Sequence, residues 1–86
     1  MTPEQLALII TMEECGELTQ VCSKLLRHRN DPESFNKWQK ALIEEAGDVV
    51  AMIDILMEKG LLSETDLAER VLVKKLKFKR LPACKD

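Results

Sequence analysis

An 86-residue chain that is 45% hydrophobic and 33% charged has the apolar side chains for one core, near the lower size limit at which a core stands alone. With 3% aromatic residues, three Gly and three Pro, its composition disfavours disorder and sheet and favours helices. The net charge of −2 hides an asymmetry: seven of the 13 basic residues follow position 69, where Asp86 is the lone acid, so an acidic body leads into a basic segment.

In chain order, Thr2-Pro3-Glu4-Gln5 reads as a helix start, with Thr2 as cap, Pro3 in the first turn and Gln5 completing a capping box. This helix is expected to run to about Arg27, where "RHRNDP" breaks it and Asp31 before Pro32 offers a fresh cap. Helical periodicity resumes near Glu33 and continues to Lys59, with a bend expected around Trp38 to Lys40 and a stop at Gly60. Ser63-Glu64-Thr65-Asp66 begins a last helix that Pro82 ends. No alternating pattern long enough for a strand is present. The expected fold is all-α: one domain spanning residues 1–86, a helical bundle of two long helices and a shorter third. So small a chain, so rich in Leu, Ile, Val and Met, is expected to hide some of them against a second copy.

The longest apolar run, "VVAMIDILM", is too short to span a membrane and contains Asp54. The N-terminus lacks a basic stretch followed by an apolar one, so no secretory signal is expected. Cys15, Cys22 and Cys84 lack metal-site spacing, and Cys15 and Cys22 lie two turns apart on one helix, too far to bridge. They read as free thiols in a reducing cytosol, and a cytoplasmic location is expected.

The acidic residues carry the chemistry. On a helical wheel with Ile10 at zero, Glu14 falls at about +40° and Glu17 at about −20°, inside the stripe formed by Leu6, Val21 and Leu25. Glu13 lies at the margin, and Lys24 is two turns beyond Glu17 on the same side. The second helix repeats the arrangement in "ALIEEAGDVVAMID": Glu45 shares the face of Trp38, Leu42, Val49, Met52 and Leu56, and Asp48 follows one turn on. Burying several ionised carboxylates together is prohibitive without a cation. Antiparallel packing would bring Glu14, Glu17, Glu45 and Asp48 together around divalent ions. An all-oxygen donor set suits Mg²⁺ or Mn²⁺, while di-iron bundles need a Glu-x-x-His pair that this chain lacks.

"EECGE" (Glu13 to Glu17) followed by "EAGD" (Glu45 to Asp48) resembles the EExxE and ExxD pair of MazG-like all-α NTP pyrophosphatases. The later "KLKFKRLP" is similar to the basic segment that ends many members. The resemblance covers nearly the whole chain. It implies a helical bundle completed by dimerisation, a homodimer or homotetramer. It also implies Mg²⁺-dependent hydrolysis of nucleoside triphosphates between the α- and β-phosphates by metal-activated water. Carried over by position, Glu14, Glu17, Glu45 and Asp48 match the metal ligands, and Glu13 matches the acid that orients or deprotonates water.

Substrate-binding candidates are Lys24, for phosphate; Trp38, for stacking on a base; and Lys74, Lys77 and Arg80 on successive turns of the last helix, for the pyrophosphate end. A phosphoribosyl-ATP pyrophosphatase is a rival enzyme reading, disfavoured because Val49 and Val50 stand where aromatic and His residues are expected. From another class, a non-catalytic helical dimer would bind a nucleotide or protein without turnover. Nucleic-acid binding is disfavoured for lack of a motif or aromatic interleaving.

Overall fold

The computed structural model describes residues 1–84, so Lys85 and Asp86, the end of the basic segment, lie outside the described residues. Three helices follow in order: α1 (Pro3–Arg27), α2 (Pro32–Glu58) and α3 (Glu64–Lys79), with a 3₁₀ turn at Pro82–Cys84. No strand is present among the described residues, and none of their helices is long and apolar enough to cross a membrane.

Local chemistry sets most of these boundaries. Thr2 and Gln5 form the capping box: the Gln5 amide donates to Thr2 Oγ1 at 3.1 Å, and the Thr2 amide donates to Gln5 Oε1 at 2.9 Å. At the start of α2, Asp31 occupies the cap position, but its carboxylate accepts from the Ser34 hydroxyl at 2.7 Å, not from a backbone amide. Gly60, at φ +78°, ends that hairpin arm in a conformation disfavoured for residues with a Cβ. Ser63 caps α3, its hydroxyl accepting from the Asp66 amide. The bend expected near Trp38 to Lys40 does not interrupt α2, which runs unbroken through it. No proline sits inside the helix there to remove a backbone bond.

α1 and α2 pair along their lengths as an antiparallel hairpin, and among the described residues this is the only extensive helix–helix packing. Its core is small. Ala7, Met52 and Leu56 are buried together, with Ile10, Ile55 and Leu62 packed against them, and Val21 is buried further along. α3 contributes no buried residue. The Cα extents are 44 × 30 × 14 Å, so the thinnest dimension is little more than one helix deep.

With so few buried residues, each bears a large share of the packing. Met52→Ala is expected to lower unfolding free energy by about 2–4 kcal/mol, a large fraction of what a small domain has. Urea denaturation followed by circular dichroism checks this; a loss below about 0.5 kcal/mol would place the core elsewhere.

Candidate metal centre

The hairpin register builds the site. Glu14 of α1 acts on Asp48 of α2, and three residues forward on α1 and three back on α2, Glu17 lies against Glu45. Seven further along each helix, Lys24 meets Trp38. One constant register therefore aligns the apolar core, the acids and the Lys24–Trp38 pair along one seam. Within each helix the two acids are one turn apart on the packing side, as i and i+3 spacing requires.

One carboxylate oxygen from each of Glu14, Glu17, Glu45 and Asp48 can be chosen so that all four lie within 4.8 Å of one another. Glu14 and Glu45 are half-buried, whereas Glu17 and Asp48 are exposed. The Oε2 atoms of Glu14 and Glu45 are shielded from solvent and accept no hydrogen bond. A carboxylate oxygen in that state has lost hydration without replacement, an arrangement that ordinarily demands a donor or a cation.

The electrostatics agree. Desolvation first, then the charges of Glu17 and Asp48, push the Glu14 carboxyl above its ordinary 4.5. Glu45 is raised first by the close approach of the Glu17 side chain, then by desolvation and by the charges of Glu17, Asp48 and Glu14. The charged groups that shift these two acids are all carboxylates. No thiol or imidazole belongs to the cluster: Cys15 is exposed, and His28 packs at the other end of the seam. Such an all-oxygen set fits a hard divalent cation, Mg²⁺ or Mn²⁺, with the two shielded oxygens as ligands and the exposed pair facing solvent.

The other candidates divide. Lys24 is half-buried with its ammonium 5.5 Å from the Trp38 ring centroid, and Lys37 brings a second ammonium to 5.2 Å. His28 stacks on the same indole at 6.4 Å and 15°. Trp38 is thus half-buried beneath a histidine and two cations, at the loop end of the seam. Its partners His28 and Lys37 were missed in the sequence because His28 lies in the interhelical break; only the antiparallel register places it over the indole. Glu13 is exposed and is not one of the four clustered acids. Lys74, Lys77 and Arg80 are exposed on α3, which lacks extensive packing against the hairpin, and they are not gathered at the acids.

Comparison with family models, with curated proteins and with solved structures gives no match to this chain.

An acid whose pKa is raised by folding takes up protons as the chain folds. Stability is therefore greatest at low pH within that window and falls as pH rises from about 4.5 through the raised folded values of Glu14 and Glu45. In EDTA the melting temperature is expected to drop between pH 5 and pH 8, and Glu45→Gln to flatten that slope. Added Mg²⁺ should raise the melting temperature more at pH 8 than at pH 5, since the cation takes the deprotonated ligands. An unchanged slope in the Gln variant would mean that the quartet is not the electrostatic burden.

Proposed function

We propose that this chain is a Mg²⁺-dependent nucleoside triphosphate pyrophosphohydrolase. It would cleave (d)NTP between the α- and β-phosphates to a monophosphate and pyrophosphate. The observation that carries the reading is the pair of shielded carboxylate oxygens, Oε2 of Glu14 and of Glu45, left without a partner inside a four-acid cluster drawn from two helices. The resemblance of "EECGE" and "EAGD" to the MazG-like motif pair supports the same assignment for those four residues.

Glu14, Glu17, Glu45 and Asp48 would hold Mg²⁺, with Mn²⁺ as a substitute. The ion would supply charge neutralisation on the polyphosphate and acidification of water. Without a cation, an acidic cluster would repel a polyphosphate; with one, it recruits it. Glu13 orients the water that adds across the α–β anhydride and accepts its proton, while pyrophosphate leaves with the bridging oxygen. No side-chain nucleophile takes part.

The Lys24–Trp38 pair lies seven residues along each helix from Glu17–Glu45, about 10 Å at the helical rise. That separation suits a nucleotide lying along the seam, phosphates at the acids and base toward the α1–α2 loop. His28, Lys24 and Lys37 already lie over the indole, so a base stacking there would have to displace one of them. Lys74, Lys77 and Arg80 act on the pyrophosphate end only if α3 is brought over the groove. The working form is a homodimer or homotetramer in the cytoplasm.

Pyrophosphate release from a panel of ribo- and deoxyribonucleoside triphosphates under Mg²⁺ or Mn²⁺ tests the proposal. Turnover of at least one is expected, with Glu17→Gln at background and Glu13→Gln lowered by about 10²-fold or more. A panel without pyrophosphate from any member sinks it. Trp38→Ala is expected to raise KM by about tenfold, the loss of one stacking contact, while changing kcat far less. Trp38 is the sole tryptophan, so its emission should respond to nucleotide in the wild type. Emission that ignores a turned-over nucleotide would remove the indole from the binding site.

A further inference from the structure

We infer that the depression on the flank of α1, lined by Thr19, Gln20, Ser23, Lys24 and Arg27, reads the base of a nucleotide and selects bases with a carbonyl oxygen over those with an amino group in its place. The inference rests on the nucleotide reading above and adds to it the class of base.

The depression continues the Lys24–Trp38 pair. It is open, about 460 Å³ in volume, which is within the size range of small-molecule sites. With Ile10 at zero, Lys24 lies at about −40°, Gln20 at −80°, Arg27 at −100° and Ser23 at −140°. These side chains form one strip that starts at the seam and turns onto the outer flank of the helix, with Gln20 one turn before Lys24 and Ser23 one turn before Arg27. Lys24 stands at the seam edge, half-buried, its ammonium 5.5 Å from the Trp38 ring centroid. Of the three groups over the indole, it alone also lines the depression. A base arriving at Trp38 therefore displaces Lys24 most readily, because its flexible four-carbon stem can carry the ammonium off the ring and toward the edge of that base.

The lining is one-sided in its charges. Lys24 and Arg27 are donors only. No carboxylate lines the depression, and none occurs in the chain between Glu17 and Asp31. Among the described residues, the side chains of Gln20, Ser23, Lys24 and Arg27 make no hydrogen bond, whereas Thr19 spends its hydroxyl on the Cys15 carbonyl at 2.9 Å. Four side chains are thus free to engage a ligand. With the phosphates at the acids, the strip lies two turns beyond Glu17, so the base is the part of a nucleotide that reaches it.

A base carbonyl facing this strip gains a charge-assisted hydrogen bond. An amino group there sets donor against donor and is left desolvated without a partner. Guanine and hypoxanthine offer O6 and N7 side by side, the pair that a guanidinium takes with two bonds, and uracil and thymine offer O4 alone. Adenine and cytosine present amino groups at the matching positions. Gln20 and Ser23 can accept as well as donate, which suits the ring N–H and amino group on the far edge of guanine. The expected order is 6-oxopurines first, 4-oxopyrimidines next and the two amino bases last.

Matched pairs of nearly equal shape test this order. ITP and ATP differ at purine position 6, and UTP and CTP at pyrimidine position 4, by oxygen against an amino group. kcat/KM is expected to favour ITP over ATP and UTP over CTP by about tenfold or more, with GTP at or above ITP. Arg27→Gln, at an exposed position, should bring both ratios toward one. Arg29→Gln, outside the depression, removes the same charge from the same end of the hairpin and should leave both ratios as they are. Equal rates within each pair in the wild type overturn the inference, and so does a uniform fall in Arg27→Gln with the ratios kept, which would make the strip a phosphate holder. Either result leaves the pyrophosphohydrolase standing. Binding separates the two readings in the other direction, by titrating the emission of Trp38 with ITP and with ATP while Ca²⁺ replaces Mg²⁺. An ITP Kd about tenfold below that of ATP, with no pyrophosphate from any nucleotide, supports the base site and sinks the reaction; no binding of either sinks both.

Discussion

Four carboxylates placed in a helix–helix seam with no cation of their own are the constraint on which the rest of this structure depends. The seam brings Ala7, Ile10, Met52 and Leu56 together to form the core. The same register, carried one and two turns further, has to bring Glu14, Glu17, Glu45 and Asp48 together as well. The hairpin cannot slide to separate the acids without also separating the apolar side chains. The resulting repulsion is held in place by packing, which is how binding sites keep arrangements that local chemistry alone would reject.

That coupling explains what was legible in the sequence. Helix limits were readable where a side chain makes the cap: Thr2 with Gln5, Ser63 with the Asp66 amide, Gly60 at positive φ. Asp31 was readable as a cap position, but its choice of the Ser34 hydroxyl over a backbone amide was not, because both acceptor geometries satisfy the same carboxylate. The four acids were legible because each sits on an apolar stripe at matched spacing, a conflict visible on one helical wheel before any partner is known. The grouping around Trp38 was not: Lys37 precedes it in the chain, but Lys24 comes from α1 and His28 from the break, and only the register makes those two its neighbours.

α3 shows where sequence pattern runs out. Leu67, Val71 and Phe78 share one side and Leu72 and Leu76 another, with basic residues between. A single stripe would have fixed a docking direction against the hairpin; two weak ones fix none. Val71, Leu72, Leu76 and Phe78 accordingly remain exposed, and the basic candidates Lys74, Lys77 and Arg80 share their exposure. Periodicity predicts that a helix forms there. It says nothing of what the helix rests on.

On the proposed reading, stability and function draw on the same side chains in opposite directions. Removing a carboxylate from the quartet relieves repulsion in the cation-free protein, so a substitution there that abolishes activity should leave the fold as firm or firmer. On the proposed reading a cation would reverse the balance, since its ligands would come from both helices and binding would tie α1 to α2 where they repel most. In a hairpin only one helix deep, with four buried residues, the acids lie in the same seam as the core and cannot be set apart from it. The cation-binding state and the well-packed state are therefore expected to be one state.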